Sequence, residues 1–134
     1  MDRQKYRTKF QIITLEISEE GQILEFAEKL PNHFECIKGI FANVSRKEGD
    51  FDDIEQMGEL SIQLNSKKIS PFHIIVDFQR RPKTENPLEL ELNEEIQPNQ
   101  LVTGYYRDYK QSKDNEGRFR NYTLKIYFKC RIRE

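Results

Sequence analysis

Tyr122-Thr123-Leu124-Lys125-Ile126-Tyr127-Phe128-Lys129-Cys130-Arg131-Ile132-Arg133 is the stretch whose reading decides the fold. Tyr122, Leu124, Ile126, Phe128, Cys130 and Ile132 alternate without a break against Thr123, Lys125, Tyr127, Lys129, Arg131 and Arg133. Successive side chains on a strand point to opposite faces, so period-two alternation sustained this long builds one dry face and one wet face. The stretch therefore reads as a strand of a layered β domain.

The reading extends outward from there. Lys113-Asp114-Asn115-Glu116-Gly117 has the residues of a turn, so Leu101 to Tyr109 is expected as the hairpin partner of the last strand. A second hairpin is expected from Leu60, Ile62 and Leu64, the turn residues Asn65-Ser66-Lys67-Lys68, and Phe72, Ile74, Val76 and Phe78. Ile75, on the opposite face of that run, marks it as a central strand, and Pro71 fits a strand's first position. Leu88, Leu90 and Leu92, bracketed by Pro87 and Pro98, give a short strand. Phe10 to Ser18 is another, and Phe34 to Val44 is one long strand or two with a kink at Gly39. Ile23, Phe26, Ala27 and Leu30 recur at helical spacing before Pro31, which predicts one short helix capped by Ser18 or a nearby acid. The charged stretches 46–53 and 79–86 are expected loops.

Composition agrees. Two alanines stand against nine Phe and six Tyr, and strands favour aromatic and β-branched residues where helices draw on Ala. Leu, Ile, Val and Phe form about a quarter of the chain, above the ~20% below which disorder is the safer expectation. At 134 residues the expectation is a single domain spanning 1–134, with the basic residues 1–8 as an N-terminal tail. The predicted fold is all-β: an antiparallel β-sandwich, jelly-roll or immunoglobulin-like, of seven or eight strands with one short helix.

Charge and motifs narrow the function by subtraction. The net charge of -1 excludes a histone-like cation, though not a local basic patch. The apolar run after the basic start is broken by Gln11, Thr14 and Glu16, and no stretch approaches a membrane span, so a cytoplasmic protein is expected. A Gly-rich phosphate loop, a Ser nucleophile elbow and a His-Glu-x-x-His helix are all missing. His33-Phe34-Glu35-Cys36 places three metal-ligand types in four residues, but on a strand His33 and Glu35 share one face while Cys36 turns away. His73 and Asp77 share a face but stand ~13 Å apart, too far for a catalytic pair. A Cys36–His73 dyad would need a tertiary contact that nothing in the sequence signals. The acidic run Glu48 to Glu59 lacks the spacing of a calcium loop. Cys36 and Cys130 form no Cys-x-x-Cys pair and read as reduced core thiols. The expectation is a non-enzymatic chain with no catalytic, cofactor or metal residues.

One asymmetry suggests a binding surface. From Tyr105 to Glu134 nine basic residues stand against four acidic ones, interleaved with Tyr105, Tyr106, Tyr109 and Tyr127. The outward row of the last strand, Lys125, Tyr127, Lys129, Arg131 and Arg133, is the candidate, spanning ~26 Å. A solvated face that discourages edge aggregation is the commonest use of such residues. Among binding readings a protein interface comes first, because Tyr and Arg are enriched there. Single-stranded nucleic acid comes second, through backbone neutralisation and base stacking on a β-barrel. The expected function is a structural or assembly subunit whose partner is a protein, either a second copy or another subunit, with no role at a membrane.

Overall fold

Eight strands form where side-chain alternation allows one face to be buried: β1 (Tyr6–Ile17), β2 (Ile23–Lys29), β3 (Phe34–Ser45), β4 (Glu55–Leu64), β5 (Phe72–Phe78), β6 (Leu90–Glu95), β7 (Leu101–Asp108) and β8 (Tyr122–Arg133). They belong to a computed structural model that describes residues 6–45, 55–64, 72–78, 90–96, 100–114 and 116–133. The chain is all-β, with two four-stranded antiparallel sheets and no helix among the described residues. The first sheet has the order β1-β8-β3-β6, the second β2-β7-β4-β5. The pairings nest: β4 pairs β5, β3 pairs β6, β2 pairs β7 and β1 pairs β8. This is the pattern of one long hairpin, with the β4–β5 hairpin at its tip, wrapped so that successive ladder pairs alternate between the two sheets.

One apolar core joins both sheets. Ile13, Ile17, Ile37, Ile40, Leu124, Ile126 and Phe128 of the first meet Met57, Leu60, Ile62, Val76, Val102 and Tyr106 of the second in a single cluster. The inner row of β8 is wholly buried, from Tyr122 to Ile132, as its alternation requires. Long β1 and β3 flank it with ten or more paired positions each, so β8 is the central beam of its sheet.

Three expectations fail. Residues 23–29 are a strand, not a helix. Leu24, Phe26 and Glu28 are half-buried while Ile23, Glu25, Ala27 and Lys29 are exposed, so period two prevails over the helical spacing of Ile23, Phe26, Ala27 and Leu30. A helix that short is marginal alone, whereas seven consecutive ladder positions with β7 anchor the strand. The expected hairpin of β7 with β8 does not form: β7 pairs β2 and β4, and β8 lies in the other sheet. The turn chemistry near 113–117 closes only a local bridge, Lys113 to Phe119, with Gly117 at φ 79°. The connection between β7 and β8 is thus a crossover between layers. Finally, β5 is an edge strand, and the central seats of the second sheet go to β7 and β4. The signal lay in β4, where Gly58 and Ser61 are buried beside the core residues Leu60 and Ile62.

β3 is one strand, with register shifts at Phe34/Cys36 and Ile37/Gly39 that supply the kink. β1 begins at Tyr6 and takes in Tyr6–Thr8 of the stretch expected as a tail. The turn 65–68, the loop 79–86 and residues 46–53 of the acidic stretch lie outside the described residues. No helix among the described residues is long and apolar enough to cross a membrane.

A polar lock pins the crossover. Asp108, buried at the end of β7, accepts hydrogen bonds from the backbone N–H of Gly21 (2.9 Å) and of Lys110 (3.0 Å). Gly21 and Lys110 both have positive φ, 73° and 64°, a conformation natural to glycine and held at Lys110 by this bond. The Tyr122 hydroxyl donates to the other Asp108 oxygen and accepts from the Tyr106 hydroxyl at 2.8 Å. Burial pushes both phenols well above the usual tyrosine range. Asp108 thereby ties the β1–β2 turn, the end of β7 and the start of β8 together.

Candidate protein-interaction face

The outward row of β8 is where the sequence placed it. Lys125 is exposed and Tyr127, Lys129 and Arg131 are half-buried between the buried inner positions. Arg133 pairs with Tyr6 at the end of the β1 ladder, and its side chain lies outside the described residues. Directly paired residues of antiparallel strands point to the same face, so the ladders define rows across the sheet. One row reads Phe10, Lys129, Gly39, Glu91; the next reads Ile12, Tyr127, Phe41; a third reads Thr14, Lys125, Asn43.

These rows gather an aromatic cluster that charge counting did not reveal. Phe41 and Tyr127 stack with ring centroids 4.6 Å apart and planes within 7°. Phe10 sets its ring edge-on to both, at 6.0 Å from Phe41 and 6.4 Å from Tyr127. Phe10 is 44% exposed and its neighbour Ile12 is 46% exposed. The signal was present in β1: Phe10 and Ile12 share a parity with Thr8, Thr14 and Glu16, opposite to the buried Ile13 and Ile17.

The basic excess of the C-terminal region does not form one patch. Arg107 lies on the second sheet, 2.9 Å from Glu59 and 5.4 Å above the Tyr109 ring, and its guanidinium is held further into the charged form by Tyr109 and Glu59. Lys113 pairs with Glu20 at 3.3 Å, and Arg118 with Asp114 at 3.4 Å and with Glu116. Backbone donors at Arg118 and Glu116, with the Arg118 and Arg120 charges, hold the Asp114 carboxyl below its usual range. On the first sheet, Arg131 approaches Glu35 at 3.6 Å. The tyrosines are also divided, since Tyr106 is in the core.

The other candidates do not converge. His33 sits exposed in the turn before β3, edge-on to Phe34 at 4.9 Å, while Cys36 is buried and pairs with Arg131 and Glu95 on the ladders. No group of three His, Cys, Asp or Glu side chains that could hold a metal occurs among the described residues. His73 and Asp77 pair with Ser61 and Gln56 on the β4–β5 ladder, and their side chains lie outside the described residues. Cys36 and Cys130 are both buried free thiols. Burial, with Cys36 nearby, pushes the Cys130 thiol up to about 12, the opposite of an activated nucleophile.

No protein-family model matches this sequence, and no curated protein and no solved structure matches it either.

Proposed function

We propose that the chain is a non-enzymatic jelly-roll subunit that works by protein–protein contact through the outer face of its first sheet. The nested strand pairing, in the order β1-β8-β3-β6 over β2-β7-β4-β5, supports the jelly-roll sandwich over an immunoglobulin-like one. The observation that carries the functional reading is the exposed pair Phe10 and Ile12 beside the stacked Phe41 and Tyr127. An apolar, aromatic centre with Lys125, Lys129 and Arg131 around it has the anatomy of an interface: anchors inside, charges at the rim.

Single-stranded nucleic acid is the lesser reading. It is favoured by a four-stranded face that joins aromatics to lysines, and weakened by the aromatic geometry. Base-stacking platforms offer free ring faces, whereas Phe41 and Tyr127 each spend one face on the other. The dispersal of the basic residues over two sheets and a loop weakens it further.

The test places a photo-reactive residue at Ile12 or, as a control, at Gln63 on the second sheet, in cells that make the protein. Discrete protein adducts from position 12 and none from position 63 are expected. Nucleic-acid adducts, or none at either position, would overturn the proposal.

A further inference from the structure

Resting on that reading, we infer that the partner on this face is a second copy of the same chain, docked face to face about a twofold axis running along the strands between β8 and β3. Three features lead there.

The first is charge pattern. Lys125 and Lys129 form a cationic stripe on β8, with Arg131 beyond them beside Glu35 at 3.6 Å, while Glu91 and Glu95 are exposed on β6 either side of Asn93, which accepts a hydrogen bond from Lys38. A partner of one sign would match one stripe and oppose the other. A twofold along the strands lays each cationic stripe toward the acidic margin of the other copy, so the pattern complements itself. Gly39 separates Lys129 from Glu91 in their row, and the twofold brings Lys129 of one copy to within about one strand spacing, in projection, of Glu91 of the other. The second is the position of the apolar anchors. Tyr127 on β8 and Phe41 on β3 flank the axis, so Tyr127 of each copy meets Phe41 of the other at the centre, where interface energy concentrates. The third is area. Three strands of about ten facing residues and the six-residue β6, about 4.8 Å apart at 3.3 Å rise, cover roughly 570 Å² per copy, or roughly 1,100 Å² for two, which clears the ~1,000 Å² that a specific interface needs.

The experiment measures solution mass by light scattering over a concentration series, for the full chain and for Lys129→Glu and Glu91→Lys, alone and mixed. The unaltered chain is expected to pass from 16.1 kDa to twice that mass. Each variant alone brings like charges together at both symmetric contacts and should dimerise at least about tenfold more weakly. In the equimolar mixture both contacts become attractive, so heterodimer affinity should return to within about threefold of the original. An ion pair inside one chain would not be rescued by mixing. Tyr127→Ala should abolish the dimer while leaving the strand signal in circular dichroism unchanged. A dimer that mixing fails to restore overturns the inferred charge pairing. A monomer at every concentration overturns the second copy as partner; if position 12 then still yields adducts heavier than twice the chain mass, the interaction-face reading survives alone.

Discussion

The two faces of β8 share one backbone and meet different surroundings. The inner row, Tyr122 to Ile132, is buried without exception and includes Phe128 and Ile126 at zero exposure. The outer row carries Lys125, Tyr127, Lys129 and Arg131, with a stacked aromatic pair at its centre and exposed Phe10 and Ile12 alongside. The inner row faces the second sheet, so substitutions there register in stability. The outer row points away from the second sheet, so on the proposed reading substitutions there register mainly in association. Among the described residues the inner face is covered by the second sheet, and on the proposed reading the outer face takes its cover from a partner.

The sharpest way to break that contrast is at neighbouring positions of opposite parity. Phe128→Ala removes a fully buried ring and should cost on the order of 3–5 kcal/mol in denaturant melts. Tyr122→Phe comes next. It removes one donor to Asp108 and the acceptor of the Tyr106 hydroxyl, leaving buried polar groups short of a partner, for about 1–3 kcal/mol.

How much of this was legible in the sequence follows from the range of each signal. The alternation of β8, its buried row and its outward row were legible because the pleat is local and needs no knowledge of partners. The partners were not. In nested pairing β8 pairs β1, from the other end of the chain, and the turn residues at 113–117 encode a local reversal that says nothing of which sheet receives the next strand. The failed helix at Ile23 to Leu30 has the same origin, since the β7 ladder that decides it lies some eighty residues away. The outer face was half legible. Its lysines and Tyr127 stand out on one strand, but the cluster exists only once β1, β8 and β3 lie side by side.

Cys130 sharpens the comparison chemically. On the inner row its thiol is pushed up to about 12 by burial, from a reference of 9.0. The folded state therefore keeps a proton that the unfolded state loses above pH 9. The stability this contributes is complete below pH 9 and declines as pH rises toward 12. Cys130→Ala should cost about 1 kcal/mol at pH 7 and flatten the alkaline decline in stability. An unchanged slope between pH 9 and 11 would assign that decline to other groups.

Tyr127→Ala should be read at a dilution where the chain is monomeric. Its ring stacks on Phe41 and touches Phe10, yet it is not fully enclosed, so its loss should cost about 0.5–1.5 kcal/mol, well below Phe128. The same substitution should remove association. A stability loss as large as that of Phe128→Ala would mean that the outer face is covered within the chain.

The smallest effect is expected at Lys129, one residue from Phe128. Its side chain lies on the half-buried outer row, next to Phe10 in the β1 ladder and Gly39 in the β3 ladder. A lysine there lays its methylenes along apolar neighbours and carries its ammonium out to the polar surface. Truncation to alanine gives up a little stem packing and regains side-chain entropy, so Lys129→Ala should fall within about 0.5 kcal/mol of the unaltered chain. Measured beside Phe128→Ala in the same buffer, the pair isolates parity from position, because adjacent residues share one strand and the same two neighbouring strands. A cost at Lys129 approaching that at Phe128 would mean that the outer face of β8 contributes to the fold as the inner face does. A small cost at Lys129, with dimer affinity falling on charge reversal, would place its role in association.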